Sequence, residues 1–260
     1  MVDKSCCRLC LRRIPLKNSH IISETFWEAI YDDKHRALPM STDIPESRIL
    51  QKGLREEMLC GDCETKFSKW ENILKQDLVD LGNGQSNYLT INPIESGMTL
   101  IQGIRYSAFK LGVLSILWRM SVTSNEYYAS YSLGKKYEEV LRLALYNEVV
   151  PQEKQFPIMI DRYELDGTFL PGLIMGFPPG KLQGLFTVQS FVIWGYLFLI
   201  VIVCDRFPKV PIEVFLRDSG EVFVQTRDLV ELASPDSVVS KIFDPRVKAF
   251  FEKGKVIPAH

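Results

Sequence analysis

Two short cysteine pairs constrain this chain more than any other feature. "CRLC" sets Cys7 and Cys10 three positions apart, and "LCGDC" sets Cys60 and Cys63 the same way. Four thiolates close a tetrahedral Zn²⁺ at ~2.3 Å Zn–S and leave no open position, so a site of this kind is structural. Residues 1–20 carry Lys4, Arg8, Arg12, Arg13 and Lys17 and no apolar run, so no secretion signal is read there. The expected compartment is the reducing cytoplasm, where disulfides do not persist and C-x-x-C pairs read first as metal ligands. Such a zinc site contributes ~10–16 kcal/mol in zinc-finger peptides, enough to decide whether a small module folds. The bland alternative is two unrelated pairs of buried thiols acting as small hydrophobes. Of the six cysteines, Cys6 competes for the metal only through a C-x-x-x-C spacing with Cys10, and Cys204 sits in an apolar run and reads as core.

The two pairs sit in different local contexts. After "CRLC" comes "LRRIPLK", whose Pro15 suits a turn, so the first pair is expected in a knuckle near a hairpin. The second pair leads directly into "ETKFSKWENILKQDL", with Phe67, Trp70, Ile73 and Leu74 on one helical side. A knuckle and a helix start sharing one zinc make a treble clef.

The rest of the chain divides by periodicity. Residues 1–80 form the zinc module. The polar stretch "DLGNGQSNYLTINPIESG" marks a junction near 80–97. Residues 98–260 form an α+β part of unassigned role, helical over 98–150 and β-rich over 155–243, with a terminal helix over 244–253. "YSAFKLGVLSILWRMSV" is apolar on nearly every face, as a buried helix is, and "SLGKKYEEVLRLALYNEV" is amphipathic. In the latter, Tyr137, Val140, Leu141, Ala144 and Leu145 make the apolar stripe, and Glu138 and Arg142 are placed to pair at i,i+4. "QFPIMIDRY", "FTVQSFVIW", "YLFLIVIV" and "EVFVQT" read as strands, and "FPPGKLQG" as a turn. The predicted class is α+β: a treble-clef zinc module, a helical segment and a β-rich region.

The most apolar stretch, "FVIWGYLFLIVIV" at 191–203, is short of the ~20 residues that span a bilayer. Its β-branched and aromatic content around Gly195 predicts one or two buried strands and no membrane segment. A net charge of -1 from 31 basic and 32 acidic residues gives no global attraction to polyanions, so any nucleic-acid contact has to be a local patch.

His20, in "NSHIISETFWEAIY", lies between the pairs, where Ser23 is expected to cap a short helix carrying Phe26, Trp27 and Ile30. C-x-x-C, a short hairpin, "HII", then "LC-x-x-C" entering a helix resembles the zinc-containing HNH endonucleases of the ββα-metal fold, over about residues 5–75. The resemblance implies that Cys7, Cys10, Cys60 and Cys63 hold structural zinc. It also implies that His20 is the general base activating water, beside a catalytic Mg²⁺ or Mn²⁺. Three positions depart from that pattern. Ser19 stands where an acid or histidine metal ligand is usual. Arg55, Glu56 and Glu57 stand where an asparagine is usual. Glu64 replaces a His or Asn ligand, and a carboxylate suits a hard cation. His20 has two other readings: a non-catalytic histidine at the treble-clef turn, or a zinc ligand in place of one cysteine. The whole chain also looks like a group of uncharacterised bacterial proteins sharing "CRLC", "SHII", "LC-x-x-CE" and "LSILWRMS". The family is associated with bacterial defence against foreign DNA.

Arg8, Arg12, Arg13 and Lys17 form an acid-free stretch at the knuckle that can contact phosphates, extended by Lys66 and Lys69 on the following helix; a solvated surface is the alternative. His35 and the pair Asp32 and Asp33 read as a solvated turn, with cation binding the sharper alternative. Arg119, in the most apolar helix, needs a buried partner, for which Glu138 or Glu139 is the candidate. Three functions are compatible with these residues: an active HNH-like endonuclease, an inactive HNH-like module that binds nucleic acid, and a zinc-stabilised module that binds a protein partner through its C-terminal region.

Overall fold

The computed structural model describes residues 6–28, 30–37, 49–94, 97–202 and 211–232. Cys204 and the helix expected over 244–253 lie outside the described residues, as does the stretch 233–243 at the end of the expected β-rich region.

The N-terminal part is built from β1 (Leu16–His20), α1 (Glu24–Trp27), β2 (Arg36–Ala37), β3 (Leu50–Gln51), β4 (Arg55–Cys60) and α2 (Gly61–Asn83). β1 and β4 pair antiparallel, with Leu16 opposite Cys60 and His20 opposite Arg55, and a register shift at Lys17/Asn18. β4 runs without a break into α2, so strand pairing on one side and the helix start on the other fix the second cysteine pair. α2 buries Phe67, Trp70, Leu74, Leu78 and Leu81, and with them two acids, Glu71 and Asp77. It extends through Asn83 and ends at Gly84, whose φ of 66° is the left-handed conformation glycine adopts without a Cβ penalty. Ser23 occupies the N-cap of α1, but its hydroxyl faces Thr25 Oγ1 at 3.3 Å and caps no backbone N–H.

The expected junction at 80–97 is not a plain linker. It holds β5 (Thr90–Pro93), which pairs with β6 (Met98–Gln102) at one edge of the main sheet. Then come α3 (Tyr106–Val122), a 3-10 turn at Glu126–Tyr128 and α4 (Gly134–Asn147). In α3 every residue from Phe109 to Met120 is buried, which is why its sequence lacks a polar face. It packs between α2 and the sheet. Trp118 sets its ring edge-on to Phe67 of α2, and Phe109 lies 6.1 Å from Phe198 of the sheet. Gly112 permits the close approach of α2, because a Cβ there would sit 3.2 Å from Leu74 Cβ and from the Trp70 carbonyl. α4 buries Leu141 and Leu145, while Val140 of the expected stripe is largely exposed.

The remaining strands are β7 (Ile158–Leu165), β8 (Thr168–Phe169), β9 (Met175–Gly176), β10 (Gly180–Leu182), β11 (Phe186–Ile193), β12 (Tyr196–Val201) and β13 (Val222–Asp228), followed by the short α5 (Leu229–Leu232). They join β5 and β6 in a nine-stranded sheet ordered β10-β11-β12-β7-β13-β6-β5, with β8 on β7 and β9 on β11. Pairing is antiparallel except between β13 and β7. The class is α+β, with the four-cysteine cluster at the N-terminus, helices in the middle and a mixed sheet toward the C-terminus. The described part of the apolar run, 191–202, supplies the end of β11 and all of β12, joined at Trp194–Gly195. Gly195 has φ 73° and packs so closely on Leu170 that a Cβ would meet its carbonyl oxygen at 2.5 Å. "FPPGKLQG", expected as a turn, carries the short edge strand β10. No helix of the described residues is long and apolar enough to cross a membrane.

Candidate metal centre

The first cysteine pair sits in a tight turn closed by backbone bonds. Leu11 N–H donates to the Cys7 carbonyl at 2.8 Å, with Leu11 itself at φ 60°. Cys7 N–H donates to Arg12 O at 3.0 Å, and Arg8 N–H reaches across to the Met58 carbonyl of β4 at 3.0 Å. The second pair is placed by the β4–α2 junction: Cys60 is the last residue of β4 and the N-cap of α2, and Cys63 lies in the first helical turn. Together these bring the four Sγ atoms within 4.8 Å of one another. Cys10 and Cys60 Sγ are 3.9 Å apart. That is close to the ~3.8 Å edge of a tetrahedron with ~2.3 Å Zn–S bonds.

Donors and positive charge face two of the sulfurs, while burial raises Cys60. Cys60 N–H donates to Cys7 Sγ at 3.3 Å, and Arg12 Nε lies 3.5 Å from Cys10 Sγ. The N-terminus of α2 adds the positive end of its dipole. Hydrogen bonding from Cys63 lowers Cys7 to about 4, and the same contact pushes Cys63 upward because it keeps the shared proton. A dication held by Cys7, Cys10, Cys60 and Cys63 would take the place of those protons. Cys7, Cys60 and Cys63 are buried and Cys10 partly so, which leaves no position for substrate. The group of four can hold a structural zinc, Cys6 is outside it, and no histidine is needed to complete it.

The chain matches no family model, no curated protein and no solved structure. The cysteine site therefore stands on its geometry.

His20 ends β1 in a polar cluster of its own. Its Nε2 contacts Glu24 Oε2, one helical turn on. The same carboxylate accepts from Tyr31 Oη at 3.0 Å and from Arg55 Nη2 at 3.4 Å, and His35 Nε2 lies 3.5 Å from its other oxygen. His35 is exposed, as expected, but its ring lies on Tyr31 at 3.9 Å. Burial lowers His20 to about 4; Arg55 adds to the effect, and Glu24 opposes it. Burial alone would raise Glu24, yet His20, Tyr31 and Arg55 outweigh it and hold the carboxyl below its usual range. The lowered value favours the neutral imidazole, the form that accepts a proton, and makes it a weaker base than one titrating near neutrality. Asp32 serves its own loop: it accepts from Lys34 N and Arg36 N at 2.9 Å and pairs with the Arg36 side chain at 2.6 Å.

Ser19 and Glu64 are the positions expected beside a catalytic cation. The buried Ser19 hydroxyl accepts from Leu59 N at 3.1 Å and lies 3.3 Å from the Lys17 carbonyl. Glu64 is in the first turn of α2, with Oε1 buried and unbonded among the described residues. Burial pushes its carboxyl up, while Ser19 and the Arg119 guanidinium pull it down. Arg119, 1% exposed, contacts Glu71 and donates to the His20 carbonyl at 2.8 Å. A fixed guanidinium therefore already supplies positive charge to this pocket of carboxylates. Its partner is Glu71, not Glu138 or Glu139: Glu138 accepts from Ser121 Oγ at 2.7 Å, and Glu139 pairs with Arg142 at 2.7 Å. The i,i+4 pair expected between Glu138 and Arg142 is accordingly replaced by an i,i+3 pair.

The six basic residues of the expected phosphate patch are not alike. Arg8 is largely buried; it pairs with Glu56 and donates to the Val122 carbonyl at the end of α3. Lys66 lies 3.2 Å from Glu148 and donates to Tyr146 O at 2.5 Å. Arg12 pairs with Asp62 at 3.1 Å, but both side chains stay exposed. Arg13, Lys17 and Lys69 are exposed. Glu24, Tyr31 and Glu71 belong to no motif that the sequence makes visible, and Arg55 was visible only as a departure from the asparagine position. Glu24 has a local signal, four residues after His20, whereas Arg55 and Glu71 reach the site only through strand register and helix packing.

Proposed function

We propose that this chain is a zinc-stabilised, HNH-like module that binds nucleic acid and does not cut it by a divalent-cation mechanism. The observation that carries the reading is Arg119. The strand–strand–helix unit β1–β4–α2 and His20 at the end of β1 match the arrangement that the resemblance implies. What supports the inactive reading is that a guanidinium bonded to Glu71 and to the His20 carbonyl already supplies positive charge beside Glu64. Binding falls to the exposed Arg12, Arg13, Lys17 and Lys69 around the knuckle and the start of α2, as sequence-independent phosphate contact.

A second reading, a protein-interaction module, is favoured by the apolar side chains that α4 and the turn after it expose: Leu143, Tyr146 and Val149.

The test is binding and cleavage of single- and double-stranded DNA and RNA by zinc-loaded protein, with and without Mg²⁺ or Mn²⁺. It is run beside His20→Ala and the triple variant Arg12→Glu, Arg13→Glu, Lys17→Glu. The expected result is salt-dependent binding that the triple variant loses, with no cation-dependent cutting. Cutting that needs Mg²⁺ and disappears in His20→Ala would overturn the inactive assignment. No binding to any nucleic acid would overturn the reading and leave the protein-interaction module.

A further inference from the structure

One polar group deep in the sheet is unexplained by the fold. Side chains alternate along β11, so Thr187, Gln189, Phe191 and Ile193 share one face. Phe191 and Ile193 belong to the core cluster that contains the α3 and α4 residues. Gln189, two residues earlier and 1% exposed, is on that face as well, opposite Ile200 of β12. Its Oε1 accepts no hydrogen bond among the described residues. Buried carboxamides are normally bonded, because a lost partner leaves the desolvation cost uncompensated.

Gln189 lines a cleft of about 350 Å³ between the open end of β11–β12 and the start of α4. Ser132 and Tyr137 form one wall, Phe186 and Thr187 the other, and Leu185 stands 78% exposed at the mouth. Among the described residues no charged side chain lines it. The cations are adjacent: Lys181 Nζ sits 3.0 Å from Thr187 Oγ1, and Lys136 Nζ lies 5.4 Å from the Tyr137 ring centroid.

These features select a ligand class. The volume is at the lower end of the ~300–1,000 Å³ of small-molecule sites, which suits one ring system with a substituent. A purely apolar ligand leaves Gln189 unsatisfied, and an ion has no counter-charge inside. A carboxamide offers a donor and an acceptor side by side, the pattern that pairs with the edge of a nucleobase. Aromatic side chains beside it give the ring a stacking partner. We propose that this cleft is a nucleobase site: the base enters between Tyr137 and Phe186, its edge bonds the Gln189 carboxamide, and its phosphate stays outside near Lys181 and Lys136. The base is supplied either by a free nucleotide or by an unpaired position of a single strand. The site is remote in sequence from the basic knuckle and stands independently of it.

The test is calorimetric titration of full-length, zinc-loaded protein with AMP, GMP, CMP, UMP and short single-stranded oligonucleotides, with ribose 5-phosphate as the base-free control. It is repeated on Gln189→Leu and Phe186→Ala, with melting curves for each. At least one nucleotide or oligonucleotide is expected to bind, ribose 5-phosphate is not, and Gln189→Leu weakens binding by about ten-fold or more while melting no lower than the parent. Binding of mononucleotides identifies the free ligand, and binding of oligonucleotides alone identifies the strand. The triple knuckle variant keeps mononucleotide binding, which separates this proposal from the one above. No binding by any base-containing ligand at millimolar concentration, equal binding of ribose 5-phosphate, or unchanged binding by both variants would overturn it.

Discussion

Removing the Glu71 carboxylate tests the assignment of Arg119 as the resident cation. Arg119 is 1% exposed and Glu71 4%. The guanidinium makes three kinds of contact: Nε to the Ser115 carbonyl at 3.3 Å, Nη1 to the His20 carbonyl at 2.8 Å, and Nη2 to Glu71. It also lies 5.3 Å from the Phe67 ring centroid. The carbonyls satisfy N–H groups but bring no net charge, so Glu71→Ala removes the carboxylate bonded to this buried cation and leaves it the field of Glu64. Breaking a buried pair in this way costs about 3–5 kcal/mol. Replacing both members, Glu71→Leu with Arg119→Met, removes the charge altogether and leaves mainly the His20 carbonyl without its donor, a loss of about 1–3 kcal/mol. The double variant should therefore be more stable than Glu71→Ala, although it carries more changes. Urea unfolding of the zinc-loaded proteins at pH 7 measures both. A Glu71→Ala variant within about 1 kcal/mol of the parent would mean that water or another carboxylate serves Arg119, and the resident-cation argument would fall.

The zinc site and a buried lysine give two further expected outcomes. Metal-defined protein should carry one zinc per chain, and stripping it should lower the melting temperature by more than about 10 °C, since losing about 5 kcal/mol corresponds to roughly 10–20 °C at this chain length; unchanged melting by calorimetry would remove zinc from the fold. Lys110 is 1% exposed, with Nζ bonded to the Gln152 and Gln155 carbonyls at 2.9 Å and to Tyr106 Oη at 3.2 Å. Burial lowers it from 10.5 to about 7 against the opposing field of Glu153. Its folded-state value lies below its unfolded one, so the unfolded chain binds more protons between them. Stability therefore rises with pH across that window, by up to about 1.4 kcal/mol per unit. Urea unfolding at pH 7 and pH 9 should show this rise in the parent and not in Lys110→Met; identical pH dependence in both would refute it.

What the sequence disclosed was whatever has a local cause. Cysteine spacing within each pair sets a knuckle and a helix start, so four ligand positions were readable. The strands β7, β11, β12 and β13 and the helix α3 were readable because apolar runs are bounded by Gly, Pro or Asp. Strand order was not. β5 lies in a polar stretch whose place at the sheet edge depends on pairing with β6, and the parallel contact of β13 with β7 joins segments far apart in the chain. The buried acids Glu71 and Asp77 carry no sequence signal of their own; they are buried because α3 and the residues before it bring Arg119 and Arg105 against them. The basic knuckle was legible only in part for a related reason: composition counts charges but not the direction in which an arginine points, and Arg8 points inward.

Three arginines show what that direction does. Arg8 of the knuckle donates to the Val122 carbonyl at the end of α3, Arg119 of α3 to the His20 carbonyl of β1, and Arg142 of α4 to the Leu9 carbonyl inside the cysteine turn. Each bond ends on the main chain, so it depends on where the backbone lies and not on the side chain at that position. Leu9 lies between Cys7 and Cys10, in a turn that backbone bonds close and that a zinc held by the four cysteines would brace further. A bound zinc would thus steady the acceptor that α4 grips. The same turn aims Arg8 at the carboxylate of Glu56, which also accepts from Ser124 N at 2.8 Å. Losing the metal should therefore loosen α3 and α4 together with the knuckle, so that amide exchange in 134–147 accelerates on chelation along with exchange in 7–12. Protection that persists in α4 while the knuckle opens would show that the helices hold their places without it.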